Sequence, residues 1–417
     1  MRLSAGHRAA GPATARTLND RLALELLLEH GPLTATQLAG LTGLSRPTVA
    51  ELIRRLLHAE LIAVVGESGA VRRGPNARMY GLAASRAHLA ALDVRMDGIT
   101  VAVADLTGRV VATADLSTAD LSTADLSTTD LTTAERDTDA DAVVSRALAV
   151  LDETVRGSGA TELHTVAVGA PGLVDPLTGV LAPPPGHPSW PPVLAAELRG
   201  RGHSLLLENE VNLAGVAEQR LGSARDRDSF VLLWLGQGVG AATVLDGRLR
   251  RGVSGGAGEL GFLPVPGTST LPSAGGCSGG FHSLVSGSAV LELAARYDLV
   301  PADPARPGSP AEDAATLVAG TVRSGTRDAS AFLDAFARRI ALGVSAVCVV
   351  LDPGCVVLGG DIGRAGGAEL AERVAEELTG LSPLRTEVRP STVSGNVVIQ
   401  GGVLVASDAV RSDLFPG

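Results

Sequence analysis

Lysine is absent from this chain. All 35 basic residues are arginine, a bias of nucleotide composition that carries no chemistry of its own. Aromatic residues make up only 2%, so the interior must be built from leucine, valine and alanine. The hydrophobic content of 45% over 417 residues supports a sizeable core. The length exceeds one ordinary domain and points to two or three. Cysteine is scarce: Cys277, Cys348 and Cys355 cannot all pair, and their spacing fits neither a disulfide framework nor a zinc site. No apolar run reaches the length of a bilayer span. The N-terminus carries arginine but no apolar stretch of the signal-peptide kind. The expectation is a soluble, cytoplasmic protein with no membrane partner.

Net positive charge is confined to the N-terminal part of the chain. Residues 1–82 carry a net charge of +4 and the remainder −14. A small basic module on a large acidic body suits a polyanion-binding head attached to something that should not itself bind DNA. Charge alone does not separate this from ordinary surface variation, so the pattern of the first 82 residues has to decide.

Apolar positions at Leu22, Leu26 and Leu27 predict a helix over Asn19–Glu29, stopped by Gly31-Pro32. Thr34 is placed to cap a second short helix, Ala35–Ala39. Gly43 supplies a tight turn, and Ser45 caps a third helix, Arg46–His58. That helix buries Val49, Leu52, Ile53, Leu56 and Leu57. It shows Arg46, Ala50, Glu51, Arg54 and Arg55 on its other face, and Pro47 is tolerated in its first turn. Helix, glycine turn and a helix with a polar N-terminal end is the helix-turn-helix layout, whose recognition helix enters the major groove. A strand over Leu61–Val65 and a returning strand over Met79–Leu82 make a hairpin wing edged by Arg72 and Arg73, suited to phosphate or a narrow minor groove. The candidate contacts to double-stranded DNA are Thr34, Ser45, Arg46, Thr48, Arg54, Arg72 and Arg73. The alternative is a three-helix bundle that never meets DNA.

The body alternates strands with helices and puts glycine turns at the strand ends. Leu89–Asp93 and Ile99–Asp105 are strands, and Val110–Ala112 begins a third. His164–Gly169 runs into Ala170-Pro171-Gly172, and Ser204–Leu207 into Glu208-Asn209-Glu210. Phe230–Leu235 runs into Gly236-Gln237-Gly238, and Val356–Leu358 into Gly359-Gly360. This is α/β architecture with its ligand chemistry at strand ends. From about Leu89 onward the chain resembles the ROK family of repressors and sugar kinases. The resemblance rests on Gly169–Asp175, Trp190–Val193, Glu208–Ala214, Gly236–Gly240, Asp246-Gly247, Gly258–Phe262 and Leu358–Gly360, seven stretches in the family's order. It implies an actin-like, two-lobed fold, and the N-terminal winged helix matches the family's repressor arrangement.

The sequence departs from the kinase pattern that this resemblance implies. Arg95 stands where the family's phosphate loop has glycine, and Asp97 adds negative charge there. Glycine works at such a place by lacking Cβ. Glu210 stands at the general-base aspartate, one methylene longer, and geometry dominates such a step. Of the family's zinc ligands, Phe262 replaces the histidine, and Ser273, Gly275 and Gly280 fall on the cysteine places. Cys277 is out of register, so no metal and no other cofactor is expected. The sugar contacts implied by the resemblance fall on Asn209, Glu210, Glu259, Phe262 and His282, Phe262 putting an apolar wall in place of a donor, and Gly172 joins them as a candidate ligand-binding residue. For Asn209 and Glu259 the competing role is capping of a turn or helix.

Residues 114–133 repeat Ala-Asp-Leu-Ser-Thr, resembling pentapeptide-repeat proteins. Four units would make about one coil with no neighbours to stack on, so the expectation is a surface loop before a helix over Val143–Val155. Residues 301–327, rich in proline, read as an irregular insertion.

The fold class that follows is α/β: a winged helix-turn-helix (14–82), then an actin-like body of two lobes (86–208 and 209–417, the C-terminal segment returning to the first lobe). The function that follows is a DNA-binding transcriptional regulator, in the family's usual sense a repressor, answering to a sugar or sugar phosphate and acting as a homodimer or dimer of dimers. Glu210 is then a vestige and there is no catalytic residue. The alternatives are an active ATP-dependent sugar kinase that also binds DNA, and a DNA-binding protein whose body is only a dimerisation platform.

Overall fold

The computed structural model describes residues 12–68, 77–96, 98–117, 133–183, 188–273, 275–300 and 308–416. The head is built from α1 (Pro12–His30), β1 (Leu33–Thr34), α2 (Ala35–Thr42), α3 (Arg46–His58), β2 (Ile62–Ser68) and β3 (Ala77–Leu82). Its small sheet has the order β1-β3-β2, both pairs antiparallel. The first helix starts earlier than its apolar period predicts, and β1 is too short to leave a period at all.

The body holds two five-stranded sheets of the same plan. In the first lobe β4 (His88–Val94), β5 (Gly98–Asp105) and β6 (Val110–Ser117) form an antiparallel meander. To it β7 (Thr165–Ala170) and β10 (Ser204–Asn209) add in parallel, giving the order β10-β7-β4-β5-β6. In the second lobe β11 (Phe230–Leu235), β12 (Val239–Leu245) and β13 (Arg248–Leu249) form the meander. There β14 (Cys355–Gly359) and β15 (Glu387–Pro390) add in parallel, giving β13-β12-β11-β14-β15. Parallel strands end at the same side of a sheet, so Asp93, Ala170 and Asn209 arrive together in one lobe, and Leu235 and Gly359 in the other. A short hairpin, β8 (Leu173–Val174) with β9 (Leu181–Ala182), follows β7.

Helices α4 (Thr133–Ser158) and α5 (Trp190–Gly200) cover one face of the first sheet. Helices α7 (His282–Val285), α8 (Gly287–Ala295), α9 (Pro310–Ser324), α10 (Arg327–Leu351) and α11 (Gly360–Leu381) pack against the second around Phe281, Phe332 and Phe336. Helices α6 (Glu210–Arg220) and α12 (Val397–Leu414) cross between the lobes. The crossing is close: a Cβ on Gly401 would lie 2.0 Å from the Leu213 carbonyl oxygen, and Gly215 lets α6 pack as tightly on β12, where a Cβ would lie 2.5 Å from Ala242 Cβ. C-terminal α12 packs on β4 and β7 of the first lobe.

Two sequence expectations need correction. The stretch 301–327 is not irregular throughout, because 310–324 is helix α9. Ser309 caps it in a reciprocal box with Glu312, Pro310 fits its first turn and Gly325 ends it at φ +60°. Proline marked a helix start there rather than a break. The repeat is not wholly a loop either: its first residues, Ala114–Ser117, are the end of edge strand β6, whose alternation the five-residue period obscured. Residues 118–132 lie outside the described residues.

Candidate nucleic-acid interface and ligand cleft

The end of α3 offered to solvent is organised by its cap. Ser45 accepts from the Thr48 amide at 3.4 Å, and the two hydroxyls share a hydrogen bond of 2.8 Å. Ser45, Arg46 and Thr48 are all exposed, while Val49, Leu52, Ile53 and Leu56 are buried beneath them. Gly43 makes the preceding turn at φ +69°, which a side chain would strain. The other predicted contacts fare differently. Arg54 is exposed and bidentate to Glu51 at 2.6 and 3.0 Å, so a DNA phosphate would compete with that carboxylate. Thr34 is buried, and its hydroxyl is used in the capping box with Gln37, which removes it from the set of groups available to DNA. Arg55, placed on the outer face by period, turns back to Asp20 at 2.5 and 3.2 Å and ties α3 to α1. Arg72 and Arg73 lie outside the described residues.

The second site is the cleft where strand ends of both lobes converge. Glu210 opens α6 at the end of β10. Its Oε2 is sealed from solvent without a hydrogen-bond partner among the described residues. Burial, and then the nearby Asp93 and Glu259 carboxylates, push its pKa up to about 8, so at neutral pH it is a protonated donor. Burial likewise raises Glu259 and lowers His282, leaving a neutral imidazole. Asn209 is the N-cap of α6: its Oδ1 accepts from the Val211 and Asn212 amides at 2.9 and 3.3 Å, and its Nδ2 donates to the Gly172 carbonyl at 3.1 Å. The capping role weighed for Asn209 is real, and it leaves one amide hydrogen for a ligand. Gly172 holds φ +121°, where a Cβ would lie 2.5 Å from the Ala182 carbonyl oxygen. Glycine there lets the chain pass close and aims a carbonyl at Asn209.

Three supporting groups, Glu208, Arg251 and Asn396, were not singled out from sequence. Buried Glu208 accepts from Asn212 Nδ2 at 2.9 Å and from Arg251 Nε at 2.5 Å, a bridge from one lobe to a loop of the other. Asn396, the cap of α12, donates to Asp93 Oδ2 at 2.8 Å. Arg95 lies 3.6 Å from the same carboxylate oxygen and 3.2 Å from Thr100 Oγ1. Beside the β4 turn Arg95 lines a narrow pocket with Met96, Pro171 and Pro183. A guanidinium therefore stands where a phosphate loop would need bare backbone. Asp97 is outside the described residues. Phe262 is partly exposed, and Cys277 sits near Gly261 with its thiol pushed up by burial. Phe262, Ser273, Gly275 and Gly280 offer no metal-binding donor set of the nitrogen and sulfur kind, so the residues present do not fit zinc.

Comparison with known proteins agrees with both halves. Residues 16–63 match the winged helix-turn-helix DNA-binding family. A glucokinase of Thermotoga maritima is 28% identical over 66% of this chain and 88% of its own length. The xylose repressor of Bacillus subtilis is 22% identical over 60% of this chain and 61% of its own length. The crystal structure of a ROK family transcriptional regulator, a homologue of the Escherichia coli MLC protein, superposes with a TM-score of 0.69 at 20% identity, covering 96% of this chain and 98% of that one. The two-lobed fold expected from sequence is thereby borne out. Residues 91–406 match the ROK family, and the chain belongs to it.

Proposed function

We propose that this chain is a transcriptional regulator, a repressor in its default action, whose affinity for an operator changes when a sugar or sugar phosphate fills the cleft. The carrying observation is that one chain joins an exposed, capped recognition-helix end to a sugar-kinase-type cleft whose phosphate turn is occupied by Arg95. Ser45, Arg46 and Thr48 are the base- and phosphate-facing groups, with Arg54 joining once it exchanges Glu51 for phosphate. In the cleft, Glu210 as a protonated donor, Glu259 and the remaining hydrogen of Asn209 bind hydroxyls, and His282 closes the wall. No phosphoryl transfer is assigned, because Arg95 denies the close approach of backbone amides to phosphate that such transfer needs. Two copies pair through the acidic bodies, so that two heads meet a two-fold-related site.

The test is footprinting on genomic fragments retained by the protein at low salt. The expected pattern is two protected half-sites, centred one helical turn or a multiple apart. No protected fragment at any salt would remove the regulator reading. A second reading, a sugar kinase, is favoured by the buried carboxylate at the base position of the family. ADP release with ATP and a sugar panel decides it, and turnover above background would establish it.

A further inference from the structure

One helix touches the cleft at its start and the foundation of the head at its end. Helix α12 is 18 residues long, about 27 Å at 1.5 Å per residue. Its first end is fixed in the cleft by Asn396 on Asp93. At its other end Arg411 Nη2 donates to the Thr107 carbonyl at 3.1 Å. Thr107 belongs to the tight β5–β6 turn, which is held shut from inside: buried Asp105 accepts from the Thr107 amide at 2.9 Å and from the Arg109 amide at 3.3 Å. The neighbouring Leu106 amide donates to the Ala84 carbonyl at 3.1 Å, and the Ala83 amide to the Leu61 carbonyl of the head at 3.0 Å. Arg411 thus grips a turn that itself grips the connection between head and body.

The surroundings make this grip more than a surface contact. Arg411 is half-buried, which lowers its pKa, and its Nε is sealed from solvent with no partner among the described residues. Holding a cation in such a place is costly unless something requires it. The apolar cluster around it is continuous: Leu24, Leu56, Leu61 and Leu82 of the head share it with Leu89 of the first sheet and with Val403, Ala406, Val410 and Phe415 of the last helix and its end. No flexible tether separates the head from this core, so a small shift of the helix has a packed route to it.

We propose that Arg411 couples occupancy of the cleft to the posture of the winged helix. A ligand that draws Asp93 alters the hold of Asn396. The helix then moves as a unit, as packed helices do in shear transitions, and Arg411 carries that movement into the 105–109 turn and the Ala83–Ala84 connection. Arg411 is a positioning residue, touching neither ligand nor DNA. The inference rests on the proposed reading of cleft and head.

Coupling is reciprocal, so it can be read from either ligand. Operator affinity is measured with and without the sugar that the wild type answers to, and sugar affinity with and without operator, for the wild type and for Arg411→Met. The wild type is expected to show one coupling factor in both directions, on the order of 5–150-fold. Arg411→Met is expected to keep each separate affinity while the coupling factor falls towards one, and Arg411→Lys to restore part of it. A residue that only stabilised the fold would lower the melting temperature and leave the coupling factor unchanged. Should Arg411→Met not fold, amide exchange in the wild type gives the answer: adding sugar should change protection at Leu106 and Gly108. Full coupling in Arg411→Met, or unchanged protection at that turn while operator affinity shifts, overturns the inference alone. A wild type in which no sugar moves operator affinity overturns both the inference and the reading beneath it.

Discussion

Arg46 and Arg55 lie on one helix and belong to different jobs. Arg46 is exposed beside the Ser45 cap, while Arg55 is bidentate to Asp20 and partly buried. Replacing Arg46 by alanine should therefore weaken operator binding by about 1–3 kcal/mol if it reads a base and leave the melting temperature in place. Arg55→Ala should lower the melting temperature, since hydrogen bonds to charged groups contribute about 1.5–3 kcal/mol, and should change operator affinity only through folding. Anisotropy and thermal melting on the same two proteins separate the roles. Glu210 gives a prediction in pH. Its folded pKa of about 8 exceeds the ordinary 4.5, so between those values unfolding releases a proton and stability falls as pH rises. The contribution is intact below pH 4.5, is lost progressively up to about pH 8 and changes little above that. Melting curves of Glu210→Gln should lack this decline; an identical decline in the variant would mean that other groups cause it. The cap Ser45 and the turn glycine Gly43 were legible in sequence because caps and turns are decided within four residues. The Arg55–Asp20 pair, 35 residues apart, leaves no local signal, and the helical period alone put Arg55 on the outer face. Thr34 was legible as a cap, and that role is the reason it is unavailable to DNA.

Among the elements, the α6–α12 crossing leaves no room for a side chain at Gly401. Gly401 lies against the Leu213 carbonyl, so Gly401→Ala must push the two helices apart. Overpacking of this kind typically costs about 1–3 kcal/mol. Because both helices start at the cleft, sugar affinity should fall together with thermal stability; calorimetry on a still-folded variant with undiminished sugar affinity would detach the crossing from the site. The five strands of the first sheet, and β11 and β14 of the second, were legible as apolar runs, because buried strands read as continuous hydrophobic segments; β12, β13 and β15 were not. The partners of α12 were not legible. Asn396 and Asp93 are separated by 303 residues and Arg411 and Thr107 by 304. Only the duplicated sheet plan, which returns the chain to the first lobe at its end, brings them together.

At the scale of the molecule, a head of +4 is fused to a body of −14, and the two share an apolar core. Contact with DNA should then be confined to the head, with a salt dependence set by a few phosphate contacts. The body should repel DNA while offering a neutral or hydroxyl-rich ligand its buried carboxyl groups. Linkage between these two properties is read by a single titration. Fluorescence anisotropy of the retained genomic fragment is followed at fixed salt while single sugars and sugar phosphates are added. The expected result is specific binding and one ligand, or one close family of ligands, that shifts the affinity at least severalfold. Specific binding that no sugar or sugar phosphate alters, with the cleft shown by calorimetry to be filled, would contradict it.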